Sequence, residues 1–235
     1  MRATLQRGVL AGLLAGLVAA VFSFVVAEPV LDRAIALEGA SGADALVSRG
    51  QQKAFLFVAQ PLVGAALGLV LAVAWGLLPR DVAVRPFLRS LLLGAGLFAA
   101  LGLVPFLAYP PAPPGAGDPA TVDDRTSAFL LSVALGIAVV SAGAAAGHAL
   151  RRRGWALPPR AVLVVSGALA AVSVGLVVLP DPAGTPPTVP ADLLWDFRLR
   201  SLGVQLLLWS VLAAAFGALT ERADDPAPRS PAACG

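Results

Sequence analysis

The sequence predicts an all-α integral membrane protein, a bundle of six transmembrane helices. Three observations predict it. Of 235 residues, 58% are hydrophobic and 13% charged, where soluble domains average about 45–50% and roughly 25%. Six apolar segments of about 18–25 residues occur, the length a helix needs to cross a hydrocarbon core of about 30 Å, and none has Asp, Glu, Lys or Arg in its interior. The charged residues between them sort by side. Strands of a β-barrel are about 10 residues long and alternate polar with apolar, which does not fit. A soluble helical protein would need amphipathic helices to cover six such segments. Disordered chains are polar and charge-rich, the opposite of this one.

The first segment, roughly 8–27, follows Arg2 and Arg7 and ends in Val25-Val26-Ala27. That pattern resembles a signal peptide cleaved after Ala27, which would leave five spans. The apolar run exceeds the usual 7–15 residues of such peptides and carries Gly12 and Gly16 at GxxxG spacing, so it is read as a span. The next stretch opens Glu28-Pro29-Val30-Leu31-Asp32-Arg33, and a proline this early suits the first turn of a new helix. Glu28, Asp32, Glu38 and Asp44 place four carboxylates within about 17 residues. They read either as a mouth that draws cations from water or as a solvated acidic loop.

The second segment, 54–78, holds Gln60 before Pro61, a kink, and the pair Gly64/Gly68. The third, 88–109, has Pro105 inside its end, where the helix should kink or stop, and Tyr109 where interfacial aromatics belong. Gly115, Gly117, Asp118 and Pro119 then form a turn. Asp123 and Asp124, before Arg125, cap and complement the next helix start. The fourth segment, 127–150, contains Gly143/Gly147 and the single histidine, His148, at its end. The fifth covers 161–179. Pro190 to Arg200 then reads as an amphipathic interfacial stretch anchored by Trp195 and Phe197, with Asp196 and Arg200 at ion-pair spacing. A gate over a pore is the sharper reading of the same stretch. The sixth segment, 202–219, holds Gln205. Gln60 and Gln205 offer a carbonyl to an ion or a hydrogen bond to another helix, and intramembrane amides mostly do the latter. Residues 1–222 form one transmembrane domain, and the Pro-, Ala- and Asp-rich tail 223–235 is expected to be disordered.

The bundle is expected to comprise three helical hairpins. Loose similarity between the stretches 110–126 and 180–201 (prolines, an acid, then an arginine at the next helix) fits a weak internal repeat or merely two proline-rich loops.

Of 17 Lys and Arg, 11 lie in the N-terminus, the second and fourth connectors and the tail, together with 4 of the 14 acids. The other 6 cations and 10 acids lie in the first, third and fifth connectors. The positive-inside rule therefore places both termini in the cytoplasm. The basic isoelectric point is an orientation signal and does not call for nucleic acid. One cysteine, Cys234, excludes an internal disulfide and a CxxC metal site. One histidine excludes a histidine cluster. P-loop, zinc-protease and Ser-His-Asp signatures are missing, so the chain is not expected to be an enzyme.

Specific loop residues carry a family resemblance. Glu28-Pro29…Asp32-Arg33-Ala34-Ile35 with Val47-Ser48-Arg49…Gln52, then Val104-Pro105-Phe106-Leu107…Tyr109-Pro110…Pro113-Pro114…Gly117-Asp118-Pro119…Thr121…Arg125-Thr126, resemble the proposed cobalt transporter subunit CbtA. Pro190-Ala191-Asp192…Leu194-Trp195…Phe197-Arg198…Ser201-Leu202-Gly203…Gln205…Trp209, running into Phe216-Gly217…Glu221-Arg222, extends it over nearly the whole chain. The resemblance implies a multi-pass protein of a bacterial inner membrane, linked to cobalamin biosynthesis. Its partner would be a small single-span subunit with a histidine-rich end, CbtB. Residues 39–43, Gly-Ala-Ser-Gly-Ala, stand where similar chains often carry histidines. Imidazole is a natural ligand of Co²⁺, so the residues left to contact a transported cobalt ion are Glu28, Asp32, Gln60, Gln205 and His148. No firmly bound cofactor is expected; Co²⁺ is the cargo. A non-transporting scaffold for a metal-binding partner and a permease for a small organic solute are the alternatives.

Overall fold

The computed structural model describes residues 1–37, 48–79, 84–113, 119–180 and 189–224. Among them the regular structure is helical. Helix α1 (Arg2–Phe22) passes through a π-helical turn, Ser23–Ala27, into α2 (Glu28–Leu37). Then come α3 (Arg49–Leu77) and α4 (Pro86–Phe98), which passes through a second π-helical turn, Ala99–Leu103, into α5 (Val104–Ala108). A 3₁₀ turn, Pro119–Thr121, leads into α6 (Val122–Arg152), followed by α7 (Leu157–Val178) and α8 (Ala191–Asp224). Six helical runs among the described residues are long and apolar enough to cross a membrane. The tail from 225 onward, Asp118, Glu38 and Asp44 lie outside the described residues.

Both π-helical turns end two residues before a proline, Ala27 before Pro29 and Leu103 before Pro105. A proline ring in a regular helix strikes the carbonyl four residues back. Widening the turn moves that carbonyl aside, and the helix continues with the Glu28 N–H on the Ser23 carbonyl and the Val104 N–H on the Ala99 carbonyl. Pro105 therefore widens its helix, and the stop comes a turn later, where Tyr109 leaves the helical region at φ −135°.

The helices outrun the apolar segments because backbone hydrogen bonding continues past the last apolar residue. Polar first turns finish them. Ser48 and Gln51 form a reciprocal capping box at the start of α3. On α6, Thr121 occupies the cap position and Asp123 and Asp124 sit inside the first turn. The expected capping role thus passes from the aspartates, which retain the favourable interaction with the helix dipole.

The core forms where α1, α3, α4 and α8 meet. Gly8 lies against Gly68, Gly12 against Gly64, and Gly16 against Gln60 and Pro61. Numbers that rise along one helix fall along the other, so α1 and α3 run antiparallel with backbones in contact. The same register relates α4 to α8, where Gly94 meets Ala213 and Gly217 meets Ser90. Ala11, Ala15 and Ala19 of α1 keep the centre thin enough for Leu71 of α3 and Leu208, Trp209, Leu212 and Phe216 of α8 to fill it. Without a hydrophobic force between helices in lipid, such small-residue contact is what gains dispersion energy. Ser90, fully buried, donates its hydroxyl to the Ala213 carbonyl at 2.7 Å.

The remaining helices are peripheral. Gly136 of α6 approaches the Ala100 carbonyl in the second π-helical turn. Helix α7 packs on α6 and has no buried residue. The expected third hairpin takes another form: α8 packs with α1 and α4, while its sequence neighbour α7 packs on α6. Exposed Leu163, Leu169, Val174 and Val177 fit an outer surface solvated by lipid chains.

Candidate functional site

The start of α1 and the end of α8 mark one end of the bundle. At the opposite end, four charged side chains interlock. Glu28 and Asp32 stand one helical turn apart on α2, and Arg49 and Lys53 one turn apart on α3, so each pair shares a face. Arg49 donates from Nη2 to Glu28 and to Asp32 (2.7 Å), from Nε to Asp32 (3.2 Å), and from Nη1 to Gln52 (2.8 Å). Lys53 Nζ lies 2.7 Å from the other Asp32 oxygen. The capping box fixes where α3 begins, and so aims Arg49 at α2. The Glu28 side chain is only 11% exposed. Asp32 remains accessible, and the hydrogen bonds from Lys53 and then Arg49 hold its carboxyl below the ordinary value of 3.8.

A second branch fastens α8 to the same place. Arg33 reaches Asp196 at 3.2 Å, and Asp196 meets Arg200 at 3.6 Å, one turn along α8. Arg200 donates to the Val26 carbonyl inside the first π-helical turn. Arg198 donates to the Pro111 carbonyl at 3.3 Å, and the Tyr109 hydroxyl to the Pro180 carbonyl. Beneath these bonds Val30, Ala34 and Leu193 are buried, with Val189 and Phe197 packed against them. The first turns of α8 are thus strapped to the α1–α2 run and to the chain just past α5.

Chemically, two carboxylates here face two cations. A cation arriving from water must compete with Arg49 and Lys53 for Glu28 and Asp32. Among the described residues, no three or more His, Cys, Asp and Glu side chains gather to hold a metal ion.

The family model for CbtA, described as a probable cobalt transporter subunit, matches residues 1–221. The chain belongs to the CbtA family. It is therefore a member of a membrane transporter family whose description, a subunit, implies a partner. The comparisons with curated proteins and with solved structures gave no match.

Within this CbtA-family chain, the residues singled out from the sequence fall in several places. Glu28 and Asp32 come together in the charge cluster. Gln60, half-buried, lies on α3 where that helix crosses Gly16, and Gln205 sits on an exposed face of α8. His148 is near the C-terminal end of α6, away from the cluster. Pro105 is buried, Arg125 is in the first turns of α6, and Trp195 is 65% exposed on α8. The expected Asp196–Arg200 pair is present. Sequence reasoning missed the part of Arg49 and Lys53. Their signal was available: an acid pair and a basic pair, each at a spacing of four, flank the first connector.

Proposed function

We propose that this chain is the permease subunit of a Co²⁺ (or related divalent metal) uptake system that serves cobalamin biosynthesis, with Glu28 and Asp32 at its outer mouth. The family match over residues 1–221 carries this reading. The charge sorting supports an orientation with both termini in the cytoplasm of a bacterial cell, which puts the Glu28–Arg49 cluster outside. A divalent cation then replaces Arg49 and Lys53 at the two carboxylates, and the displaced cations swing to water. Gln60 offers an amide further in, Gln205 one towards a neighbouring subunit, and His148 one imidazole on the exit side. An inside-negative potential draws a divalent ion inward by about 4–5 kcal/mol per 100 mV. The histidine-poor donor set supports a division of labour in which a small single-span, histidine-rich subunit, CbtB, captures cobalt and this chain admits it.

The test is radiolabelled cobalt uptake into cells that depend on this system, with and without CbtB. Glu28→Gln removes one carboxylate charge and is expected to lower uptake at limiting cobalt by about ten-fold. Uptake unchanged in that variant, at equal protein level, would remove Glu28 from the mouth. A non-transporting scaffold is favoured by one observation, the lack of acids inside the apolar segments. It predicts that liposomes holding both subunits take up no cobalt.

A further inference from the structure

Two cavities meet at the other, basic end of the bundle. One, of about 420 Å³, opens between α3, α4 and α6 and is lined by Leu77, Leu92, Leu93, Leu97, Val140 and Ala144, among others. The second, of about 270 Å³, lies between the start of α1 and the end of α3, with Thr4 and Trp75 in its wall. They share Leu77, Leu78 and Arg89. Among the described residues, Arg89 is the charged side chain in both walls. It is held in place, its guanidinium 4.6 Å from the Trp75 ring centre and bonded to the Leu78 carbonyl at 3.1 Å.

More positive charge surrounds the opening. Arg85, exposed, precedes Arg89 by four residues and so lies on the same side of α4. It is the cap residue of α4, whose first turn has no side-chain cap, so backbone N–H groups add to the positive field there. On α6, Arg151 follows Ala144 of the cavity wall by seven residues, which returns it to the same side.

We propose that this end binds one anionic phospholipid of the surrounding bilayer, an acyl chain in the larger cavity and the headgroup phosphate at Arg85 and Arg89. Each alternative occupant fails on one half of the site. A hydrated metal ion meets an apolar wall and a guanidinium of its own sign. A soluble anion has no use for a leucine-lined slot. A zwitterionic lipid fills the slot and gains less from the arginines. Basic recesses between transmembrane helices suit anionic headgroups for the same electrostatic reason. The site bridges the ends of α3, α4 and α6, helices that otherwise meet little there, so the lipid joins the four-helix core to its peripheral pair. The proposal is independent of what the protein transports.

The full chain in nanodiscs of equal phosphatidylglycerol and phosphatidylcholine, released for native mass spectrometry, reports which lipid remains bound. Wild type is expected to retain phosphatidylglycerol over phosphatidylcholine, and Arg85→Gln to reduce that preference by about five-fold. Arg89→Gln should do the same, while Arg89→Lys keeps most of it. Ala144→Trp, which fills the slot without touching a charge, should lower retention of both lipids. Equal retention of the two lipids by wild type overturns the proposal. So does a preference unchanged in both Arg85→Gln and Arg89→Gln. Arg85 is exposed at the helix start, so its variant remains informative even where Arg89→Gln fails to fold.

Discussion

Replacing Gly12 by alanine tests the packing on which the charge cluster depends. A Cβ on Gly12 would lie 2.1 Å from the Gly64 carbonyl oxygen and 2.8 Å from the Ala65 Cα. Ordinary contact begins at 3.4 Å, so the helices must part by roughly 1.3 Å, the difference of those two distances. The obstructing atoms are backbone, and no rotamer change relieves them. A gap of about 0.5–1 Å already forfeits a quarter to a half of each dispersion contact, and Gly8 and Gly16 extend the loss over neighbouring turns. Forced methyl groups in packed cores cost about 1–3 kcal/mol. At about 2–4 °C per kcal/mol for a chain of this length, the expected fall in Tm is about 2–12 °C. The assay is thermal unfolding in nanodiscs followed by tryptophan fluorescence. Gly76→Ala is the control, because nothing lies within 4 Å of its new Cβ, and alanine's better helix propensity makes that change neutral or stabilising. Gly12→Ala unfolding at or above wild type would refute the backbone-to-backbone contact of α1 and α3.

Three further outcomes are expected. Arg49→Gln strands the mostly buried Glu28 carboxylate and should cost about 1–3 kcal/mol, with part of it recovered in Arg49→Gln/Glu28→Gln; strictly additive losses would show that the two do not interact. Asp32 has its carboxyl pKa depressed in the folded state, by Lys53 and then Arg49. Its contribution is therefore fully present above the ordinary carboxylate value and is lost as pH falls through the lower, folded one. Thermal stability should show no Asp32 effect from pH 7 to 5 and a small loss below about pH 4, under about 1 kcal/mol because the pair is accessible; Asp32→Asn should abolish that loss. Ser90→Ala removes a hydrogen bond but leaves no void, and should cost about 0.5–1.5 kcal/mol. Ser90→Leu at the same fully buried position, against Gly217, should cost clearly more, and equal effects would place Ser90 outside the α4–α8 contact.

Much of the cluster was legible as residues and little of it as geometry. The acids at 28 and 32 stand out in sequence because they end an apolar run. Whether they face water or a partner depends on where α3 begins relative to α2, and Arg49 and Lys53 lie on that second helix, 17 or more residues along the chain from Asp32. The same limit applied to Arg200, whose partner is the Val26 carbonyl. A backbone oxygen available for side-chain bonding leaves no mark in a sequence, although Pro29 two residues beyond the π-helical turn was a hint in hindsight.

Amino-acid sequence by itself determined the solvent, the number of spans, the sorting of charge and the family, because these follow from composition, segment length and local order. It also offered GxxxG pairs of equal appearance, Gly12/Gly16, Gly64/Gly68 and Gly143/Gly147 among them. Tertiary structure separated them. Gly12/Gly16 and Gly64/Gly68 press their backbones together, whereas new Cβ atoms on Gly143 and Gly147 would meet Val164 at an ordinary 3.5 and 3.8 Å. Gly136, outside any such pair, lies as tightly against Ala100. Close approach belongs to two helices jointly, and a motif on one of them states only that it has no side chain in the way.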